Sequence, residues 1–84
     1  MESKENKGKA LVRSAYAENQ KGAENHIKTA EHLQAAARHH LAAAKYHEGG
    51  DDKNAAFSTI KAQGYVSLAR EVQKENVKRH ALNS

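Results

Sequence analysis

The sequence predicts an all-α fold, an antiparallel helical hairpin, and three observations lead to it. Sixteen of the 84 residues are alanine and 29% are charged, and these residue types lose little free energy on entering a helix. Proline, which would break a helix, is absent. Apolar residues recur at steps of three and four on both sides of one short break, Gly49-Gly50-Asp51-Asp52. A break of this length returns the second helix alongside the first.

The first 20 residues have the weakest pattern in the chain. Residues 1–8 are polar and end in Gly8, which predicts a frayed tail. A short helical segment from about Lys9 to Gln20 follows, and its apolar residues either fold back onto the hairpin or extend the next helix. We therefore divide the chain into a polar tail or short helix over residues 1–20 and a helical-hairpin domain over residues 21–84.

The first long helix is predicted over about residues 21–48. Six of its apolar residues fall on one stripe at 100° per residue: Ile27, Ala30, Leu33, Ala37, Leu41 and Ala44. Gly49 is expected to take the left-handed conformation that ends a helix, and Gly50 to loosen the turn. Asp51 or Asp52 then caps the next helix, because a carboxylate accepts hydrogen bonds from its free N–H groups.

The second helix is predicted over about residues 52–83 and carries two apolar strips. The stronger strip consists of Phe57, Ile60, Gly64, Leu68 and Val72. The weaker strip consists of Ala55, Ala62, Val66, Ala69 and Val77. Glycine costs a helix about 1 kcal/mol relative to alanine, so Gly64 on the stronger strip indicates either close approach of another backbone or, more plainly, a position that is not optimised for the helix. Two strips on one helix need two partners.

Self-association follows from the size of the core. An 84-residue chain with so few large apolar side chains buries little surface, and a two-helix hairpin alone would be marginally stable. Pairing of hairpins into a four-helix bundle would bury both strips of the second helix. We therefore predict a homodimer or higher oligomer with the stronger strip, Phe57 to Val72, as its interface; another protein is the alternative partner.

Six histidines raise the question of a metal site. They are His26, His32, His39, His40, His47 and His80. No two are three or four residues apart, the spacing at which side chains of one helix converge on an ion, and no glutamate has a histidine three residues after it. We predict flanking and solvent-exposed histidines and no metal ligands, unless two protomers assemble a site between them.

Other chemistry is not indicated. There is no cysteine, no pairing of Ser14, Ser58, Thr59 or Ser67 with a general base that would suggest a nucleophile, and no phosphate-binding glycine loop, so neither an enzyme nor a cofactor is predicted. The charge of +4 is spread evenly, with 8 basic and 6 acidic residues in 1–50 and 6 and 4 in 51–84, which makes nucleic-acid binding the weaker reading. The charged N-terminus and the lack of a long apolar stretch predict a cytoplasmic protein that does not enter membranes.

One segment resembles a known group of proteins. It carries the pattern AA-x-HH-x-x-AA-x-x-HE-x-G, at Ala36, Ala37, His39, His40, Ala43, Ala44, His47, Glu48 and Gly50, continued by Asp51, Ala55 and Ala56. This pattern is similar to that of small Ala/His-rich bacterial helical-hairpin proteins, whose function is uncharacterised. The resemblance implies a hairpin and no activity. From Phe57 to Leu68 the chain departs from the histidine-rich repeats of that group.

A weaker resemblance is to a single tetratricopeptide-type repeat. It is carried by Ala43, Tyr46, Gly50, Ala55 and Ala62, while the expected aromatic positions hold His39 and Thr59. The likeness implies hairpin packing and not peptide binding, because one repeat cannot form the concave groove of an array.

Three functional hypotheses remain at this stage. The first is a non-enzymatic, self-associating hairpin that acts in protein interaction or assembly. The second is a metal-ion or pH-responsive binder that uses histidines from two protomers. The third is a small basic nucleic-acid-binding protein, whose binding would weaken steeply with salt.

Overall fold

The protein is a two-helix antiparallel hairpin. A computed structural model describes the backbone of residues 2–83 and the side chains of residues 15–81. Helix α1 runs over Glu2–Glu48 and helix α2 over Asp52–Asn83, and the molecule measures 74 × 16 × 13 Å. The described residues contain no strand. The predicted all-helical hairpin is therefore confirmed.

Helix α1 begins earlier than predicted. It is continuous from Glu2, so the expected start at about residue 21 and the frayed tail are wrong, and of the two alternatives for the segment from about Lys9 to Gln20 the structure shows the one in which it extends the next helix. Gly22 does not interrupt it, because alanine, lysine, glutamate and glutamine surround this position and their helix propensity outweighs the cost of one glycine. The predicted tail also includes Met1, which lies outside the described residues.

The turn between the helices is a Schellman motif, in which backbone N–H groups beyond the helix bind its last free carbonyls. The N–H of Gly50 donates to the carbonyl of His47 at 3.1 Å, and the N–H of Asp51 donates to the carbonyl of Tyr46 at 2.8 Å. Gly50 has a φ of +75°, so Gly50 and not Gly49 takes the left-handed conformation. The prediction was one residue early. Helix α1 ends at Glu48 as expected, but Gly49 does not have a positive φ, so the left-handed position of the turn is Gly50.

Asp51 caps helix α2. Its Oδ1 accepts the backbone N–H of Asn54 at 3.2 Å, and its carbonyl accepts the N–H of Ala55 at 3.0 Å, the first bond of the helix. Asp52 is the first helical residue, and its negative charge there interacts favourably with the positive end of the helix dipole. The turn chemistry thus follows from four consecutive residues.

The contact between the helices is a seam of small and polar residues. The least exposed positions recur at alternating steps of three and four, the spacing of a coiled coil. On α1 the repeat consists of Gly22, Asn25, Thr29, His32, Ala36, His39 and Ala43, with the buried Ala35 beside it, and on α2 it consists of Ala55, Ser58, Ala62, Tyr65, Ala69, Val72, Asn76 and Arg79. Alanine occupies alternate positions along much of α2, which lets the helix axes lie close together. The weaker α2 strip of the sequence therefore supplies three seam residues, Ala55, Ala62 and Ala69.

Polar contacts set the register of this seam. The side-chain amide of Asn25 donates to Oδ1 of Asn76 at 3.0 Å, and Nδ2 of Asn76 donates to the carbonyl of Gly22 at 3.3 Å. Both asparagines are buried. Nearer the open end of the hairpin, Nη1 of Arg79 lies 2.6 Å from a carboxylate oxygen of Glu18. The asparagine contacts satisfy buried polar groups only when the two helices are in one alignment, and the more exposed Arg79–Glu18 pair forms in that same alignment.

The predicted apolar stripe of α1 faces outward, and this is the main difference from the sequence analysis. Ile27 and Leu41 are 58% and 67% exposed, and Leu33 is also exposed. Small and polar residues of α1 face α2, because they allow the asparagine and histidine contacts with α2 to form. The large apolar residues lie on the other side of α1. The hairpin consequently has its large apolar side chains on the outside.

Candidate interaction surface

The stronger strip of α2 forms an exposed apolar surface. Phe57, Ile60 and Leu68 are 53%, 66% and 48% exposed, and Gly64 lies between them on the same side of the helix. Val72 is half-buried at a seam position. It turns inward because each step of four residues rotates by about 40° beyond a full turn, and three such steps separate Ile60 from Val72. We call Phe57, Ile60, Gly64 and Leu68 the α2 strip.

Gly64 is open to the outside of the hairpin. A Cβ atom built at Gly64 would meet nothing within 4 Å. The other helix of the same chain therefore does not make the close backbone approach that Gly64 indicates. The space beside this glycine remains available to a second molecule.

A shallow groove of about 480 Å³ lies along the α2 strip. It is lined by His39, Lys61, Gly64, Tyr65 and Leu68. Its floor is stiffened by stacked rings, since the centroid of Tyr65 lies 5.4 Å from that of His39, with 7° between the planes, and 6.3 Å from that of His32. A rigid apolar floor beside a glycine suits the insertion of a side chain from a partner helix.

Charged residues lie at both ends of the groove. Lys61 lines it towards the turn, and Glu71 follows Leu68 towards the C-terminus. Glu71 forms an ion pair with Lys74 at 3.9 Å, in which both side chains are about three-quarters exposed. Such a pair contributes little to stability, so it leaves Glu71 able to bind a partner cation.

The histidines do not converge within one chain. His32 and His39 are half-buried in the seam, where they stack on Tyr65, so these two are not the flanking, solvent-exposed histidines that the sequence analysis predicts. His26 and His40 are exposed, and Nδ1 of His47 lies 3.8 Å from a carboxylate oxygen of Asp52. Among the residues that the structure describes, no three histidine, aspartate or glutamate side chains could hold a metal ion together.

Sequence reasoning missed the seam histidines because histidine is usually read as a surface residue. The signal that could have identified them is their exact seven-residue spacing, His32 to His39, in register with Asn25. A histidine ring at such a position packs its apolar faces against an aromatic ring across the seam. Tyr65 lines the seam.

Neither helix, over the residues described, contains a segment both long and apolar enough to cross a lipid bilayer. Comparisons with protein-family models, with curated proteins and with solved structures gave no match. The surface of the molecule therefore carries the information about its function.

Proposed function

We propose that this chain is a non-enzymatic, self-associating helical hairpin that acts in protein interaction or assembly, and that the α2 strip is its interface. One observation carries the proposal: the buried residues of the seam are alanine, asparagine, threonine and serine, while most of the large apolar side chains that the structure describes are exposed. Single exposed apolar residues are common, but three of them around an open glycine within three helical turns form a patch that favours a partner.

The strip is suited to an antiparallel contact with the strip of a second copy. In that arrangement Leu68 of one copy lies over Gly64 of the other, where the missing side chain leaves room for it. The same alignment places Lys61 of one copy opposite Glu71 of the other, because both residue pairs are centred on residue 66. A two-fold axis repeats each contact, which gives two apolar insertions and two ion pairs. Two hairpins joined in this way form a four-helix bundle.

The substitution Leu68→Asp tests this interface. It removes an apolar insertion worth about 2 kcal/mol and places a carboxylate where it loses water, so we expect the dissociation constant to rise at least about a hundredfold. Native mass spectrometry and sedimentation velocity of untagged protein report the change in mass. Val77→Asp is the matched control, since Val77 is an apolar residue of the same helix, 68% exposed and outside the strip. Equal masses for the natural chain and the Leu68→Asp variant would refute the interface.

An inter-subunit histidine site is the second candidate function. The observation that favours it is the row of exposed histidines His26, His40 and His47 on one flank of α1, at separations of 14 and 7 residues. Side chains so spaced cannot meet within one helix, but a partner helix could bring its own histidines to the same row. The native spectrum of unchelated protein distinguishes the two candidates: a stoichiometric zinc, nickel or copper adduct supports the histidine site, and a metal-free oligomer supports assembly alone.

A further inference from the structure

The outer face of α1 is a second exposed apolar surface. Its large members are Tyr16, Ile27, Leu33 and Leu41, of which Ile27 and Leu41 stand opposite the seam in its seven-residue repeat. Exposed alanines recur between them at every seventh residue, namely Ala23, Ala30, Ala37 and Ala44. We call these eight residues the α1 outer face. Because α2 packs on the other side of the helix, a partner for this face has to come from another molecule.

The α1 outer face and the α2 strip open on opposite sides of the hairpin. His39 lines the groove beside Gly64 and Leu68, whereas the next residue, His40, lines a separate groove of about 400 Å³ formed with Gln63, Val66, Ser67 and Arg70 of α2. Leu33 lies one seven-residue repeat before His40, on the same flank of α1. A partner bound to one surface therefore leaves the other accessible.

A row of four charged residues runs along one edge of the α1 outer face. Glu24, Glu31, Arg38 and Lys45 are seven residues apart, all are exposed, and the row is acidic in its first half and basic in its second. Among the side chains that the structure describes, none of these four forms an ion pair within the chain. Their charges are therefore available to a second molecule.

We propose that a second copy of the chain binds the α1 outer face with its own α1 outer face, antiparallel about a two-fold axis between residues 34 and 35. This arrangement places Glu24 opposite Lys45 of the second copy and Glu31 opposite Arg38 of the second copy. Both pairs are equidistant in sequence from the same axis, so one alignment satisfies both, and symmetry forms each pair twice. A parallel, in-register pair would place like charges together, so the charge row selects the antiparallel orientation.

The same alignment matches the sizes of the apolar residues. Ile27 lies close to Ala44 of the second copy and Leu41 close to Ala30 of the second copy, because these pairs are centred only one residue, about 1.5 Å along the helix, from the axis set by the charges. Large side chains lie against small ones, so the surfaces interlock as knobs and holes and the helices can approach closely. In this alignment the two α1 helices overlap over residues 21–48, about 40 Å, which is enough for an extended coiled-coil contact, and Tyr16 lies beyond the end of the partner helix. Charge and shape, which are independent features of the sequence, thus favour the same orientation and the same register to within one residue.

This second contact rests on the proposed function, self-association, and adds an interface to it. The residues of the second contact differ from those of the α2 strip. Two two-fold contacts on opposite sides of one hairpin produce either a closed tetramer or an open row of hairpins. Each contact can fail without the other. Removing the α2 contact first makes the α1 contact measurable alone.

The test uses the full chain carrying Leu68→Asp, followed by sedimentation equilibrium at low salt. We expect this variant to form dimers. Glu31→Arg or Arg38→Glu, added singly, turns two attractive pairs into two repulsive ones and should weaken the dimer at least about tenfold. Mixing these two variants pairs each altered residue with its complement, so the heterodimer should regain the original affinity. Lys78→Glu, a charge reversal at an exposed site of α2, is the control and should leave the affinity unchanged.

The outcomes separate the two contacts. A Leu68→Asp chain that stays monomeric at all accessible concentrations overturns the α1 contact. A dimer affinity that changes neither with Glu31→Arg or Arg38→Glu nor on mixing these two variants overturns it as well. A fall in mass from the natural chain to Leu68→Asp reports on the α2 strip alone. Recovery of affinity on mixing also excludes misfolding as the cause of the weaker binding. A variant that had lost its fold would not regain affinity when mixed with a second variant.

Discussion

Gly64 is the residue whose effect on the stability of its helix is hardest to explain from the hairpin alone. Glycine in the middle of a helix is unfavourable by about 1 kcal/mol relative to alanine, and inside this hairpin nothing requires it, since an added Cβ would meet no atom within 4 Å. A single chain can accommodate this loss of helix stability. The glycine stabilises a contact only if a backbone or side chain of another molecule occupies the space beside it. The proposed α2 contact supplies that use, because Leu68 of the second copy occupies the space.

Gly64→Ala should therefore have effects of opposite sign on folding and association. We expect the free energy of unfolding of the single chain, measured with urea in a Leu68→Asp, Glu31→Arg background that impairs both proposed contacts, to rise by about 1 kcal/mol. In the otherwise natural chain, the dissociation constant should rise, because the new methyl group fills the space that Leu68 of the partner takes. Gly22→Ala is the matched control: its Cβ also meets nothing, and it lies outside the strip. Tighter association of Gly64→Ala would contradict the proposed packing.

At the level of the helices, the hairpin and its turn were predictable and the face that packs inward on α1 was not. Helix propensity and the Gly-Gly-Asp-Asp break are local, so they need no knowledge of the partner. The seam depends on which face of α1 meets α2. Ranking the faces by the bulk of their apolar residues selects Ile27 and Leu41, which are exposed, whereas the true seam alternates alanine with asparagine, threonine and histidine.

The candidate interface was predictable for α2 because that helix carries two distinct apolar strips. One of them, with Ala55, Ala62 and Ala69, has the strict seven-residue spacing that matches a partner helix over its whole length. The other drifts around the helix, so its members Phe57 and Leu68 are exposed while Val72 reaches the seam. Spacing, more than hydrophobicity, separates the strip within the hairpin from the strip outside it.

The Asn25 and Asn76 pair should be a main determinant of helix alignment. Both side chains are buried and bond to each other at 3.0 Å, so Asn76→Ala leaves the amide of Asn25 without its partner. An unsatisfied buried polar group costs about 1–3 kcal/mol, and we expect a loss of about 2 kcal/mol in the free energy of unfolding, measured with urea. Gln73→Ala, at an exposed site one turn earlier, should change stability by less than about 0.5 kcal/mol. Equal effects of the two substitutions would show that the pair contributes nothing.

For the whole molecule, the distribution of residues links folding to association. The buried apolar residues are all alanine, and no large side chain among those described is fully buried, so a single hairpin gains little from the hydrophobic effect. Its exposed apolar residues lie on two opposite sides, the α2 strip and the α1 outer face. Association through either surface would bury them and add stability that the isolated chain lacks.

Thermal stability should therefore depend on protein concentration. If only associated hairpins gain this burial, each tenfold increase in concentration favours the folded dimer by about 1.4 kcal/mol, and a hundredfold increase should raise the midpoint of thermal unfolding by several degrees. Circular dichroism at 222 nm measures the midpoint. The double variant Leu68→Asp, Glu31→Arg, which impairs both surfaces, should unfold at a lower temperature that does not change with concentration. A natural chain with a concentration-independent midpoint would mean that the hairpin folds as a monomer, and its exposed apolar surfaces would then have to serve a different protein.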